Sequence, residues 1–165
     1  MRLYLIRHGI PVDAGYERDG DRPLTDAGRA LVRETAVAWA GHEPPPGCFL
    51  VSPLVRAVQT CELLVSALGG RGPVEVLPEL AMGSAGAVLR RLEERDDASL
   101  ALVGHEPLLS TLAAHLLGLE HYPLSFERCA ILALDLRRNG GAARLAFLIH
   151  PALPGRAPRL SRSLS

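Results

Sequence analysis

Residues 3–13 read LYLIRHGIPVD. Leu3 to Ile6 form a short apolar run of strand-forming residues, and it stops at Arg7-His8-Gly9 instead of at an ordinary turn. The same pattern recurs along the chain. FLV (49–51) runs into Ser52-Pro53, a good N-cap and first-turn pair, and then into VRAVQTCELLVSAL. VEVL (74–77) precedes Pro78-Glu79 and a helix of about residues 84–95, and LALV (100–103) leads through Gly104-His105 into LLSTLAAHLLG, from Pro107. Behind the first run, a Gly/Asp-rich loop ends at Thr25-Asp26, which opens a helix to about Trp39 with Leu31, Thr35 and Ala38 on one face. ILALDL (131–136) and ARLAFLI (143–149) flank Arg137-Arg138-Asn139-Gly140-Gly141, the signature of a hairpin. Strands alternating with helices predict an α/β sandwich whose sheet is mostly parallel and closes with an antiparallel pair.

At 165 residues and 48% hydrophobic, the chain suffices for one core, expected over residues 1–150. The tail 151–165, with three arginines, no acid and three prolines, reads as disordered. The formal charge is zero, so no global field draws in nucleic acid or a membrane surface, and any anion site must be local. All 18 basic residues are arginines. The lack of lysine removes P-loop and Schiff-base chemistry, and it makes the presence of an arginine weak evidence by itself. Cys48, Cys61 and Cys129 show no CxxC spacing and read as buried thiols of a reducing compartment. No apolar stretch approaches a membrane span, and a soluble cytoplasmic protein is expected.

Ligands of open parallel sheets bind beyond the carboxyl ends of the strands, where loops converge and helix N-termini point inward. The four runs deliver Arg7-His8, Ser52 with Arg56 one turn on, Glu79, and Gly104-His105 to that edge. Two guanidiniums match phosphate oxygens and stay charged at any working pH. Together with the free N–H groups of the helix after Pro107, they make a site for a tetrahedral dianion. His8, next to the flexible Gly9, is the expected nucleophile, since neighbouring arginines favour its neutral ring. His105 is expected to donate to the transferring phosphoryl oxygens. For the proton of the leaving group Glu79, which follows the third run, is the expected acid, with Glu106 as its competitor. A metal centre is not expected: His105-Glu106 continues to Leu109 where an HExxH helix needs a second His, and His115 and His121 are six apart.

These residues resemble the histidine phosphatase superfamily, whose signature is Arg-His-Gly after the first strand, and within it the small SixA-like phosphohistidine phosphatase branch. Besides Arg7-His8-Gly9, the chain carries RPLTDAG (22–28), LVSPLVRAVQT (50–60), EVLPEL (75–80) and LVGHEPLL (102–109) in the order of that branch, and the likeness covers about residues 1–135. The resemblance implies a phosphoglycerate mutase-like α/β/α sandwich around a mixed sheet. It also implies transient phosphorylation of His8, a phosphate pocket of Arg7, Arg56 and His105, and no metal or other cofactor. Transfer of the acid role to Glu79 is implied less directly, because in larger relatives the acid sits in an insertion that this chain lacks. Ile10-Pro11 stands where the family often has Glu-Thr, which argues against a mutase. With little material for a lid, the implied substrate is phosphohistidine on a protein partner. The alternatives are small phosphorylated metabolites, or phosphoryl binding without catalysis.

Overall fold

The computed structural model describes residues 1–123, 126–137, 141–151 and 159–161. The strands are β1 (Arg2–Arg7), β2 (Cys48–Val51), β3 (Val74–Val76), β4 (Ser99–Gly104), β5 (Ile131–Asp135), β6 (Arg144–His150) and β7 (Arg159–Ser161). They form one sheet in the order β3-β2-β4-β1-β5-β6-β7. β1, β2, β3 and β4 run parallel to one another, and β5, β6 and β7 add on antiparallel. The mixed sheet, with three parallel and three antiparallel neighbour pairings, and the antiparallel β5–β6 pair agree with the sequence reading, while β7 adds a strand beyond β6; three of the hairpin's turn residues, 138–140, lie outside the described residues. Of the tail expected to be disordered, the structure describes Pro151 and the strand β7, and the remainder lies outside the described residues.

The helices are α1 (Asp26–Ala40), α2 (Val55–Leu68), α3 (Glu79–Met82), α4 (Ala85–Glu93) and α5 (Leu108–Leu117). Successive strand residues point to opposite faces, and this divides the core in two. Tyr4, Ile6, Val51 and Val103 pack with Val32, Trp39, Ala57 and Leu64 of α1 and α2. Leu3, Leu5, Leu100 and Leu102 pack on the other face with Leu80, Val88, Leu109 and Leu112 of α3, α4 and α5. The result is a three-layer α/β/α sandwich. Because both faces of β1, β4 and β5 are covered, these strands read as unbroken apolar runs, whereas the edge strand β3 is exposed throughout.

Three sequence expectations shift in detail. The buried face of α1 centres on Val32, Thr35, Ala36 and Trp39, with Leu31 and Ala38 only partly buried, because the indole of Trp39 sets the direction of the core. α2 starts after Leu54, two residues beyond the expected Ser52 cap; Ser52 is fully buried and partnered elsewhere. The short α3 was not anticipated, since four residues carry too little periodicity to read. Among the described residues, no helix is long and apolar enough to cross a membrane.

Candidate active site

The register of the sheet builds the site. Arg7, the last residue of β1, lies opposite Gly104, the last of β4, and His8 N–H extends the ladder by donating to the Gly104 carbonyl at 3.1 Å. His8 is therefore pinned at the strand end, and it is 3% exposed. Its Nδ1 lies 2.7 Å from the Gly9 carbonyl oxygen. A carbonyl only accepts, so the proton sits on Nδ1 and Nε2 bears the lone pair. Nε2 is met by Arg128 Nη1 at 2.8 Å and Arg56 Nε at 3.3 Å. Burial drives the His8 pKa down to about 2; His105, Arg128 and Arg56 push the same way, against the Gly9 carbonyl. The ring is thus neutral at any working pH, as the sequence suggested, with burial rather than the arginines as the larger cause.

The turn after His8 is fixed by α1 and α2. Gly9 N–H donates to Thr60 Oγ1 at 3.0 Å, and the Thr60 hydroxyl donates to the Arg56 carbonyl at 2.7 Å. A Cβ on Gly9 would sit 3.0 Å from Leu24, 3.1 Å from Val32 and 3.2 Å from the Gly28 carbonyl, so the backbone passes where a side chain barely fits. Gly28 is more demanding. Its Cβ would fall 2.3 Å from the Ile10 carbonyl, which accounts for the glycine in RPLTDAG.

His105 lies beside His8, with ring centroids 4.8 Å apart and planes at 54°. Its Nε2 is 2.7 Å from Ser52 Oγ, and its Nδ1 is buried without a hydrogen-bond partner among the described residues, as is Arg7 Nε. With the Ser52 hydroxyl as donor, the His105 proton sits on Nδ1, a free donor for an oxyanion. Burial, then Arg56, lowers the His105 pKa to about 4, with Arg128 and Arg7 acting alike and Asp19 opposing.

Arg56 is 6% exposed and heavily committed: Nη1 donates to the Asp19 carbonyl at 2.6 Å and Nη2 to the Asp19 carboxylate at 2.7 Å. Asp19 also binds Arg22 Nη2 at 2.6 Å. Hydrogen bonding from Arg56 holds its carboxyl below the usual range, so Asp19 is a fixed anion that orients Arg56 rather than a proton donor. Arg7 Nη1 donates to the Phe126 carbonyl at 2.6 Å.

Arg128 and Asp19 escaped the sequence reading. Arg128 precedes β5, and that strand is antiparallel, so the residues before it, not after it, reach the catalytic edge. Cys129 has φ 64°, a left-handed conformation costing a β-carbon residue about 1–3 kcal/mol. Its N–H reaches the carbonyls of Arg7 at 3.1 Å and His8 at 3.3 Å, which ties the turn to the end of β1. Asp19 lies in the Gly/Asp-rich loop, where nothing in the spacing marks one acid over another.

Arg7, His8, Arg56 and His105 are brought together; the two carboxylates are not drawn to His8 by any contact among the described residues. Glu79 opens α3 and lies 3.9 Å from Arg91 Nε. Glu106, which precedes the Pro107 cap of α5, accepts from Ser110 N–H at 3.1 Å and from the Ser110 hydroxyl. No group of three or more His, Cys, Asp or Glu suited to a metal ion occurs among the described residues.

Comparison with known proteins gives this geometry a lineage. The model of the histidine phosphatase superfamily (branch 1) matches residues 3–87. An uncharacterized protein of Picosynechococcus is 40% identical over 151 residues, 88% of each chain. Phosphohistidine phosphatase SixA of Escherichia coli is 34% identical over 146 residues, 85% of this chain and 88% of that protein. The solved structure of the protein histidine phosphatase SixA complexed with tungstate superposes with a TM-score of 0.79 at 32% identity, over 90% of this chain and 96% of the other. A paired-histidine, arginine-lined site at the end of β1 and β4, and likeness across nearly the whole length of two relatives, lead to one conclusion: the chain belongs to the histidine phosphatase superfamily, branch 1, among its SixA-like members, and is a phosphatase.

Proposed function

We propose that the protein removes the phosphoryl group from phosphohistidine on a protein partner, carrying it transiently on His8 Nε2. The observation behind this reading is the state of that nitrogen: buried, neutral, its lone pair fixed by the Nδ1–Gly9 hydrogen bond and faced by guanidiniums. Nε2 attacks phosphorus, and a new N–P bond forms as the bond to the substrate imidazole breaks. The departing nitrogen keeps the electron pair and takes up a proton. Water then attacks phosphorus, the His8 N–P bond breaks, and phosphate leaves. Arg7, Arg56 and the Nδ1–H of His105 offset the charge on the oxygens, largely through preorganised donors.

The choice of a P–N substrate has support from the acid question. Glu106 is bonded by Ser110, Asp19 is held ionised, and Glu79 has Arg91 as a charged neighbour at 3.9 Å and no contact to His8 among the described residues. An imidazole leaves phosphorus far more readily than an alkoxide does, so this substrate makes the least demand on an acid. The crossover from β3 to β4 holds only the short α3 and α4, leaving little to close over a small molecule and room for a protein surface. The name of the Escherichia coli relative points the same way. The three free, buried cysteines suit a reducing compartment, and the cytoplasm is part of this reading.

The test is a comparison of kcat/KM on a phosphohistidine protein and on a panel of small phosphate esters, with acid-labile label mapped on the enzyme. Preference for the phosphoprotein, label on His8 and none in His8→Gln are expected. Preference for the esters would make the protein a phosphomonoesterase, and binding without labelled turnover would make it a phosphoryl-binding module. Chelator is expected to leave the rate unchanged.

A further inference from the structure

Arg128 stands out among the cations of the site. Among the described residues it forms no salt bridge, although its guanidinium lies close enough to Arg7, Arg56 and Arg22 for all three, after burial, to disfavour its charge. Asp19 pairs with Arg56 and Arg22 but not with Arg128; a part-buried cation crowded by like charges is unfavourable, and it is retained where an anion completes it. Arg56 is the less available partner for that anion: both of its terminal nitrogens are on Asp19 and its Nε faces His8. Arg128 Nη1, by contrast, rests on the lone pair of His8 Nε2 at 2.8 Å, the spot an attacked phosphorus would occupy. An occupied lone pair cannot attack. The turn that carries Arg128 is held against β1 by the left-handed Cys129, whose N–H bonds to the carbonyls of Arg7 and His8, so the guanidinium can swing while its backbone stays fixed.

We propose that Arg128 is a catalytic residue with two positions: in the free protein it covers His8 Nε2, and when a phosphoryl group arrives it moves onto a phosphoryl oxygen, uncovering the nucleophile and gripping the group it attacks. This rests on the reading of His8 as the phosphoryl acceptor. It assigns the phosphoryl contact that Arg56, tied to Asp19, supplies least freely. No bond is made or broken in the exchange; one charge-assisted hydrogen bond replaces a weaker one to a neutral ring nitrogen.

The experiment uses the full chain as wild type, Arg128→Ala and Arg128→Lys. It measures kcat/KM on a phosphohistidine protein, the inhibition constant of orthovanadate, binding of orthovanadate by calorimetry, and Tm. Arg128→Ala is expected to lose about 100-fold in kcat/KM, the scale of one lost oxyanion donor, and to bind orthovanadate at least tenfold more weakly. Its Tm should hold or rise, because a crowded cation has gone. Arg128→Lys should regain much of the orthovanadate affinity. Two results overturn the proposal: orthovanadate affinity and kcat/KM within twofold of wild type in Arg128→Ala, or losses accompanied by a lower Tm that lysine does not repair. If the wild type forms no phosphoenzyme on His8, the underlying reading fails instead, and calorimetry still decides whether Arg128 grips the oxyanion.

Discussion

Ser52 occupies the place of a helix cap but works as the partner of a ring. Its hydroxyl is fully buried and 2.7 Å from His105 Nε2, and in the donor role it keeps the ring proton on Nδ1, which is buried without a partner among the described residues. In Ser52→Ala, Nε2 loses its partner, the ring is free to carry its proton on either nitrogen, and the Nδ1 donor is present only part of the time. We expect kcat to fall about tenfold and stability by about 1–3 kcal/mol, the cost of an unsatisfied buried polar group. Ser52→Thr, which keeps the hydroxyl, should restore kcat more than Ala does. Equal rates for the alanine variant and the wild type would remove Ser52 from the site. The residue types Arg7, His8, Arg56 and His105 were readable because each follows a strand running the same way. Ser52 was visible but misassigned, since Ser-Pro before a helix has a commoner meaning at the level of the chain than at the level of the site.

At the scale of elements, the loop after β1 and the first turn of α1 hold each other in place. Thr25 caps α1 by accepting from Gly28 N–H at 2.9 Å, while Thr25 N–H and its hydroxyl both donate to the Ile10 carbonyl, at 2.9 and 3.2 Å. Gly28 sits against that same carbonyl. Helix propensity alone favours alanine there by about 1 kcal/mol. The clash of a Cβ 2.3 Å from a backbone oxygen should outweigh it, because neither the helix nor the loop can yield without moving Gly9. Overpacking of this kind costs about 1–3 kcal/mol. Gly28→Ala is therefore expected to lower the urea midpoint and to reduce activity as the His8 turn shifts; an alanine variant as stable and as active as wild type would show that the contact is slack. The start of α1 was legible from Thr25-Asp26, and its length from the chain. Its buried face was not, since Trp39 outweighs the smaller residues that periodicity counts equally.

The whole molecule explains what strand-end reasoning missed and how stability should respond to pH. Searching after each strand finds the residues of β1, β2 and β4. It overlooks Arg128, because β5 enters the sheet at the catalytic edge and runs away from it. The antiparallel hairpin was readable from its turn, but nothing in it states which end of β5 meets His8. The same convergence holds two imidazoles at the strand ends, His8 buried and His105 half-buried. Unfolded, they take up protons below about pH 6.5. Folded, burial keeps His105 neutral down to about 4 and His8 down to about 2. Between those limits the unfolded chain binds more protons than the folded one, so stability rises with pH and is lost on acidification. At pH 5 each imidazole costs roughly 2 kcal/mol relative to pH 8. Replacing both by glutamine should therefore flatten the fall in unfolding free energy between pH 8 and pH 5 by about 4 kcal/mol, measured by urea denaturation at each pH. The comparison concerns slopes, so it survives any uniform destabilisation of the double variant. Parallel pH profiles for the two proteins would mean that His8 and His105 titrate in the folded state much as they do in the unfolded chain, and that His8 is not held neutral by the fold.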